Sequence, residues 1–166
     1  METFDKWFAI VNPVAGSGKG LSDWPLISKL LRDHHIVPEY AFTERKYHAI
    51  ELAVEAINNG FRKIMVVGGD GTILHTSKIA TQHNLPVLGV NIGTMGFIAE
   101  LESGELELLR KLPKKEYTIE NRSMLDITVT NGTQQMFHEI ALNDAVVTKG
   151  AIARVIQISV CCDGVE

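Results

Sequence analysis

From residue 7 to about residue 102, short apolar runs closed by glycine or proline alternate with longer segments whose apolar residues recur every three or four positions. Trp7 to Val11 reads as a buried strand ending at Asn12-Pro13, followed by the loop Val14-Ala-Gly-Ser-Gly-Lys-Gly20. Ser22 then has the character of a helix N-cap, with Pro25 in the first turn and Trp24, Ile27, Leu30 and Leu31 along one face. Val37 to Phe42 predicts a second strand. Lys46 to Asn59 predicts a helix striped by Ala49, Leu52, Ala53, Ala56 and Ile57 and ended by Gly60. Lys63 to Val67 is a third strand, closed by Gly68-Gly-Asp-Gly-Thr72; a helix to about Gln82 and a strand from Pro86 to Val90 follow. Strands and helices alternating at this spacing predict a parallel sheet covered on both faces. Ligands of such sheets bind beyond the carboxyl ends of the strands, and the glycine loops after Val11, Val67 and Val90 all fall there.

The period then changes. Ser103 to Leu112 predicts a short amphipathic helix with Pro113 behind it. Beyond it the pattern becomes extended: Tyr117 to Thr130, a turn at Asn131-Gly132, Gln134 to Thr148, and a last strand from Ala153 to Cys162. In that strand Ile156, Ile158 and Val160 alternate with polar neighbours, the mark of a sheet with one wet face. Asp163-Gly164 is a hairpin-turn signal, so a return strand is expected and the second domain reads as incomplete at Glu166. The fold expected is α/β: a Rossmann-like parallel sheet with helices on both faces, followed by the start of an antiparallel β domain. Its divisions are residues 1–102, a connection over 103–116, and 117–166.

Composition narrows the function. The 166 residues carry a net charge of −4, with 45% hydrophobic and 22% charged positions. A mildly acidic chain has no basic field for nucleic acid. No apolar run reaches the roughly 18–20 residues of a membrane span, and the start Met-Glu-Thr-Phe-Asp lacks the basic and apolar regions of a signal peptide. The two cysteines, Cys161 and Cys162, are adjacent, which disfavours an unstrained disulfide or a zinc site and predicts reduced thiols in a cytoplasmic protein. An open edge on the last strand predicts self-association, a dimer or larger.

Candidate chemistry centres on Asp70, the one carboxylate within Gly68-Gly-Asp-Gly-Thr72. Glycines let the backbone approach a ligand, and amides at the start of the helix behind them attract phosphate oxygens. Asp70 there serves as a general base or metal-binding group, or simply stabilises the helix start. Gly16-Ser-Gly-Lys-Gly20 fails the P-loop spacing, which needs Gly at Pro13 and Ser or Thr at Gly20. It also fails the dinucleotide fingerprint at Leu21. It either wraps nucleotide phosphates through its amides and Lys19 or is a surface turn. Gly89-Val-Asn-Ile-Gly-Thr-Met-Gly96 is a further glycine loop on the same edge. His34, His35, His48, His75, His83 and His138 show no metal-ligand spacing, and His48, His75 and His83 read as helix-surface residues. Asn143-Asp144, between the apolar Ile140-Ala-Leu142 and Ala145-Val-Val147, is either a β-bulge or a ligand-contacting pair.

From Gly68 onward the chain resembles the NAD kinases. The matching pieces are Gly68-Gly-Asp-Gly-Thr72, Leu85 to Phe97, Tyr117 to Leu125, Ala141-Leu-Asn-Asp-Ala145 and Ala153-Arg154, in the family's order. Residues 8–19 and Thr43-Glu-Arg-Lys-Tyr-His-Ala49 instead resemble the diacylglycerol and sphingosine kinase group of the same superfamily. That group's pattern stops after Thr72: no Asn-Glu pair follows, and Gly93-Thr-Met-Gly-Phe97 replaces its Gly-Thr-Gly-Asn-Asp. The chain thus reads as a hybrid joined near residues 66–76.

The resemblance implies transfer of the ATP γ-phosphoryl group to the 2′-hydroxyl of the adenosine ribose of NAD, giving NADP, with Mg²⁺ or another divalent cation. It implies Asp70 as the base in contact with NAD, with Gly71, Phe97, Asn143, Asp144 and Arg154 as further NAD contacts. Asn12, Gly16, Lys19, Thr43, Gly68, Gly69, Gly71 and Thr72 would serve nucleotide and phosphate; no residue is assigned as a protein metal ligand. Asp144 stands where the family more often has Glu. The family's next segment, with a second Gly-Asp-Gly, would lie beyond Glu166, so reduced or absent turnover is expected. The alternatives are a diacylglycerol-type lipid kinase and a non-catalytic nucleotide-binding fragment.

Overall fold

The computed structural model describes residues 6–93, 96, 98–148 and 157–165. The apolar runs of the first half become parallel strands β1 (Trp7–Val11), β2 (Glu39–Phe42), β3 (Lys63–Gly68) and β4 (Val87–Asn91), each within two residues of its expected bounds. A two-residue strand β5 (Leu101–Glu102) completes the sheet, in the order β2-β1-β3-β4-β5. Every neighbouring pair is parallel.

Side chains alternate across the strands and so divide the core in two. Ala9, Val11, Met65, Val67 and Val90 join Trp24, Ile27 and Leu31 of helix α1 (Ala15–Asp33) and Leu106 and Leu109 of a 3₁₀ helix (Leu106–Lys111). Ile10, Ile64 and Val66 point the other way, toward helices α2 (His48–Asn58) and α3 (Asp70–Gln82), which pack against each other and the sheet. Each fully buried aliphatic side chain contributes about 1.5–3 kcal/mol relative to exposure, so these two layers hold the first unit together.

Local detail departs from the pattern in places. Gly16, Ser17 and Gly18 take left-handed values (φ 61, 59 and 95), and regular helix starts at Lys19, three residues before Ser22. Ser22 is therefore not the cap; its hydroxyl donates to the Lys19 carbonyl, and Pro25 lies inside α1. The helix foreseen over Ser103 to Leu112 is the shorter 3₁₀ turn, with Leu106 and Leu109 buried at its three-residue period.

The chain divides into compact units Met1–Ser123 and Met124–Glu166. In the second, β6 (Leu125–Asn131) and β7 (Gln134–Ala141) form an antiparallel hairpin with a register shift at Val129/Thr130. Gly132, at φ 59, is the first of its two loop residues. The strand expected over Gln134 to Thr148 stops at Ala141, and that expected over Tyr117 to Thr130 begins only at Leu125. The final strand is corrected more deeply. Residues 151–156 lie outside the described residues, and 157–161 form no strand. Alternation without a partner ladder does not make a strand. The Asp163-Gly164 turn does form, both residues at positive φ, with a two-way backbone bridge between Cys162 and Val165.

Candidate functional site

β1 leads to β2 on one side, and the chain then crosses back to place β3 on the other side of β1. The connections after β1 and β3 therefore diverge from neighbouring strands, the point where open α/β sheets carry their ligands. Gly68-Gly-Asp-Gly-Thr72 sits there. Gly69 is the N-cap of α3 in extended conformation (φ −97, ψ 175), and Asp70 is the first helical residue. The Thr72 and Ile73 amides both donate to the Gly69 carbonyl, at 2.9 and 3.3 Å, and the amides before them lie in the first turn, where no carbonyl of the helix stands four residues back. The turn thus offers backbone donors and a positive helix end beside one carboxylate.

The glycines at this edge fall into two groups. A Cβ on Gly16 would run into the Ile92 carbonyl, and one on Gly20 into the Asn12 carbonyl. Those two glycines serve close backbone packing, and Gly16 its positive φ as well. Gly69 and Gly71 have neither reason: their φ is not positive, and among the described residues no atom lies within 4 Å of where a Cβ would stand. Among the described residues, the Cβ positions of both glycines flanking Asp70 meet no neighbour.

Asn12 ties two of the loops together. Its backbone N–H donates to the Val67 carbonyl at 2.8 Å. Its side-chain Nδ2 donates to Thr72 Oγ1 at 3.0 Å, and its Oδ1 accepts from Val14 N at 3.2 Å. The side chains of Asn12 and Thr72 are thus engaged with the protein. Thr43, just past β2, donates its N–H to the Val11 carbonyl at 2.8 Å and lies on the same edge, as does the first regular turn of α1 with exposed Lys19. Of the residues singled out by sequence, Asn12, Gly16, Lys19, Thr43, Gly68, Gly69, Asp70, Gly71 and Thr72 all come to this end of the first unit. Asn143 and Asp144 belong to the second unit, exposed beyond β7, where the Asn143 amide donates to the Asp144 carboxylate at 3.1 Å. No strand or bulge includes them. Phe97 and Arg154 lie outside the described residues.

Sequence reasoning missed two features. His75 is half-buried rather than a plain helix-surface residue, its ring 4.9 Å from that of Tyr47 in an edge contact. Lys46 Nζ lies 4.7 Å over the Tyr47 ring. Burial, then Lys78, then Lys46 hold the His75 pKa below its ordinary value. Tyr47 adopts left-handed φ 64 as the cap of α2, a conformation no local pattern announces. The other feature is Asn91, fully buried at the end of β4, whose amide donates to Glu102 Oε2 at 2.8 Å and whose Oδ1 accepts from Gly93 N at 2.9 Å. Asn91 sits inside a motif already noticed for its glycines. Its partner lies on β5, too short to leave a pattern.

Among the described residues no three His, Cys, Asp or Glu side chains cluster as a metal cage, and no helix is long and apolar enough to cross a membrane.

Residues 29–117 match the family model of the ATP-NAD kinase N-terminal domain, a span that runs through residues 66–76. An NAD kinase of Trichlorobacter lovleyi is 37% identical over 112 residues, which cover 67% of this chain and 39% of that protein. One of Natranaerobius thermophilus is 42% identical over 96 residues, 57% of this chain and 34% of that protein. The chain thus spans about two fifths or less of the length of these curated relatives. The crystal structure of a diacylglycerol kinase from Bacillus anthracis superposes with a TM-score of 0.52 at 19% identity, covering 75% of this chain and 42% of that one. At that identity the likeness is one of fold alone.

Proposed function

The chain belongs to the ATP-NAD kinase family through its N-terminal domain, and on that premise we propose that it carries the phosphate-binding and base-bearing part of an NAD kinase. The reaction is ATP-dependent phosphorylation of the 2′-hydroxyl of the adenosine ribose of NAD. Asp70 takes the hydroxyl proton as the ribose oxygen forms its bond to the γ-phosphorus. The bond from that phosphorus to the β,γ-bridging oxygen breaks, and ADP and NADP leave. Amides at the start of α3 orient the phosphate chain, helped by Lys19 and the amides around Gly16 and Gly68. Thr43 lies toward the nucleoside, and Asn12 and Thr72 hold the two loops in register. Gly71, Phe97, Asn143, Asp144 and Arg154 contact NAD. Mg²⁺ carried in on the ATP phosphates would neutralise part of their charge, with no protein ligand assigned to it.

The observation that carries this reading is the pair Gly69 and Gly71, glycines that neither conformation nor packing requires, on either side of the only carboxylate in the turn. Titration calorimetry with ATP–Mg²⁺ and with NAD, beside an endpoint assay for NADP, tests it. Asp70→Asn is expected to keep ATP binding and to lower any turnover by about 10²–10⁴-fold. Full turnover in the variant would remove Asp70 from its role. Phosphorylation of diacylglycerol in place of NAD would favour a lipid kinase, and nucleotide binding without turnover in the parent would leave a non-catalytic binding fragment.

Two further assignments belong with this reading. Leu125, Ile127, Val129 and Phe137 share one face of the β6–β7 hairpin, and Leu125, Val129 and Phe137 are each about half exposed. We propose self-association, as a dimer or larger, and light scattering should then show mass rising with concentration; a constant monomer mass contradicts it. Cys161 and Cys162, exposed and unbridged, suit a reducing compartment such as the cytoplasm.

A further inference from the structure

Asn91 stands where three strands meet. In the ladder it faces Gly68 on β3 and Glu102 on β5, and the next residue, Ile92, donates its N–H to the Gly68 carbonyl at 3.1 Å. Its side chain is fully buried, and both ends of the amide are engaged: Nδ2 with Glu102 Oε2 at 2.8 Å, Oδ1 with Gly93 N at 2.9 Å. Gly96 is fitted over the same pair, since a Cβ there would stand 2.6 Å from both Asn91 Nδ2 and Glu102 Oε1. Gly93 in turn abuts the turn that carries Asp70, the nearest atom of that turn to a Cβ on Gly93 being Gly69 Cα at 3.9 Å.

These contacts form a chain from the sheet edge to the site. Glu102 can only accept, so it fixes which way the Asn91 amide faces. With Nδ2 turned to Glu102, Oδ1 faces Gly93 and draws its N–H inward. A buried amide left with one end unbonded loses considerably more than an exposed one, so the orientation is strongly held. We propose that Asn91, braced by Glu102, is a positioning residue that fixes the Gly93 backbone against Gly69 and thereby sets the placement of the glycine turn whose amides and Asp70 meet the phosphate chain of a nucleotide. The first half of this inference concerns the protein alone; the second rests on the proposed phosphoryl transfer.

The test exploits hydrogen-bond polarity. Glu102→Gln keeps an acceptor for Asn91 and is expected to behave as the parent, whereas Glu102→Ala leaves Nδ2 without one. Asn91→Asp sets two carboxylates against each other. Adding Glu102→Gln to it restores the bond in reverse, because Gln can donate to Asp while Asp still accepts from Gly93. Amide exchange at Gly93 and calorimetric affinity for ATP–Mg²⁺ are measured on folded protein below each melting transition. Glu102→Ala and Asn91→Asp should speed Gly93 exchange and weaken ATP binding about tenfold, and the reversed pair should recover most of both. Parental exchange and affinity in Glu102→Ala would overturn the proposal. So would damage in Glu102→Gln equal to that in Glu102→Ala, and failure of the reversed pair to recover. If Asn91→Asp does not fold, the two Glu102 variants decide. If the parent binds no ATP, the functional reading falls, while Gly93 exchange still decides whether Asn91 and Glu102 position that backbone.

Discussion

At the scale of single residues, glycines that look alike in the sequence divide by what surrounds them. Gly20→Ala would place its methyl against the Asn12 carbonyl. The backbone has to shift there, and a loss of about 1–3 kcal/mol is expected, with a lower thermal midpoint. Gly71→Ala meets no atom of the described residues, so its stability should stay within about 0.5 kcal/mol of the parent while affinity for ATP–Mg²⁺ falls. Thermal melts beside titrations of the two variants separate the roles; a stable Gly20→Ala, or a Gly71→Ala that binds as the parent does, would refute the division. The sequence placed both glycines at the right edge of the sheet. It could not tell them apart, because the carbonyl that excludes a side chain at Gly20 comes from β1's exit and the one at Gly16 from β4's exit. Such tertiary approaches leave no local pattern. Asn12 shows the same limit: its type suits nucleotide contact, yet its amide is bonded to Thr72.

Among elements, β1 and β3 were legible because four or more apolar residues stop at glycine or at a turn, and α2 because alanine and leucine recur on one face. β5 was not, since two residues carry no period. The start of α1 was misread because Ser22 has the chemistry of a cap, while the turn before it is left-handed, with Gly16 close against the Ile92 carbonyl after β4. His75 was misread for a related reason: its own helix reads as exposed there, but Tyr47 at the start of α2 covers it. This junction should make stability depend on pH. With a folded pKa below the unfolded value of 6.5, held there first by burial and then by Lys78 and Lys46, the unfolded chain binds more protons near that range. Stability is then fully present above the unfolded pKa and falls as pH drops through it toward the folded value. Melting temperatures measured between neutral and mildly acid pH should decline, and His75→Gln should flatten the part of that decline nearest the unfolded pKa. An unchanged profile in His75→Gln would mean that other groups set it.

For the molecule as a whole, the early alternation of strand and helix carried the first unit, and the switch to a two-residue period carried the β6–β7 hairpin. What the sequence overstated was continuity, extending strands past Ala141 and into residues 157–161, where no ladder partner supports them. The strand order has a consequence in time. β1 lies inside the sheet, yet its neighbour β3 is made more than fifty residues later, after α1, β2 and α2 have already been synthesised. A growing chain that ends before Lys63 has one flank of β1 bare and the helices on both faces without most of the surface they cover. Long-range pairing of this kind is what slows folding. Nascent chains stalled with β3 still in the ribosomal tunnel should therefore be digested readily by added protease, and those with β4 fully emerged should resist. Protection that arises before β3 has emerged would mean that β1, α1 and β2 hold together without it; otherwise the ribosome must deliver the middle of the sheet before its first strand has a settled place.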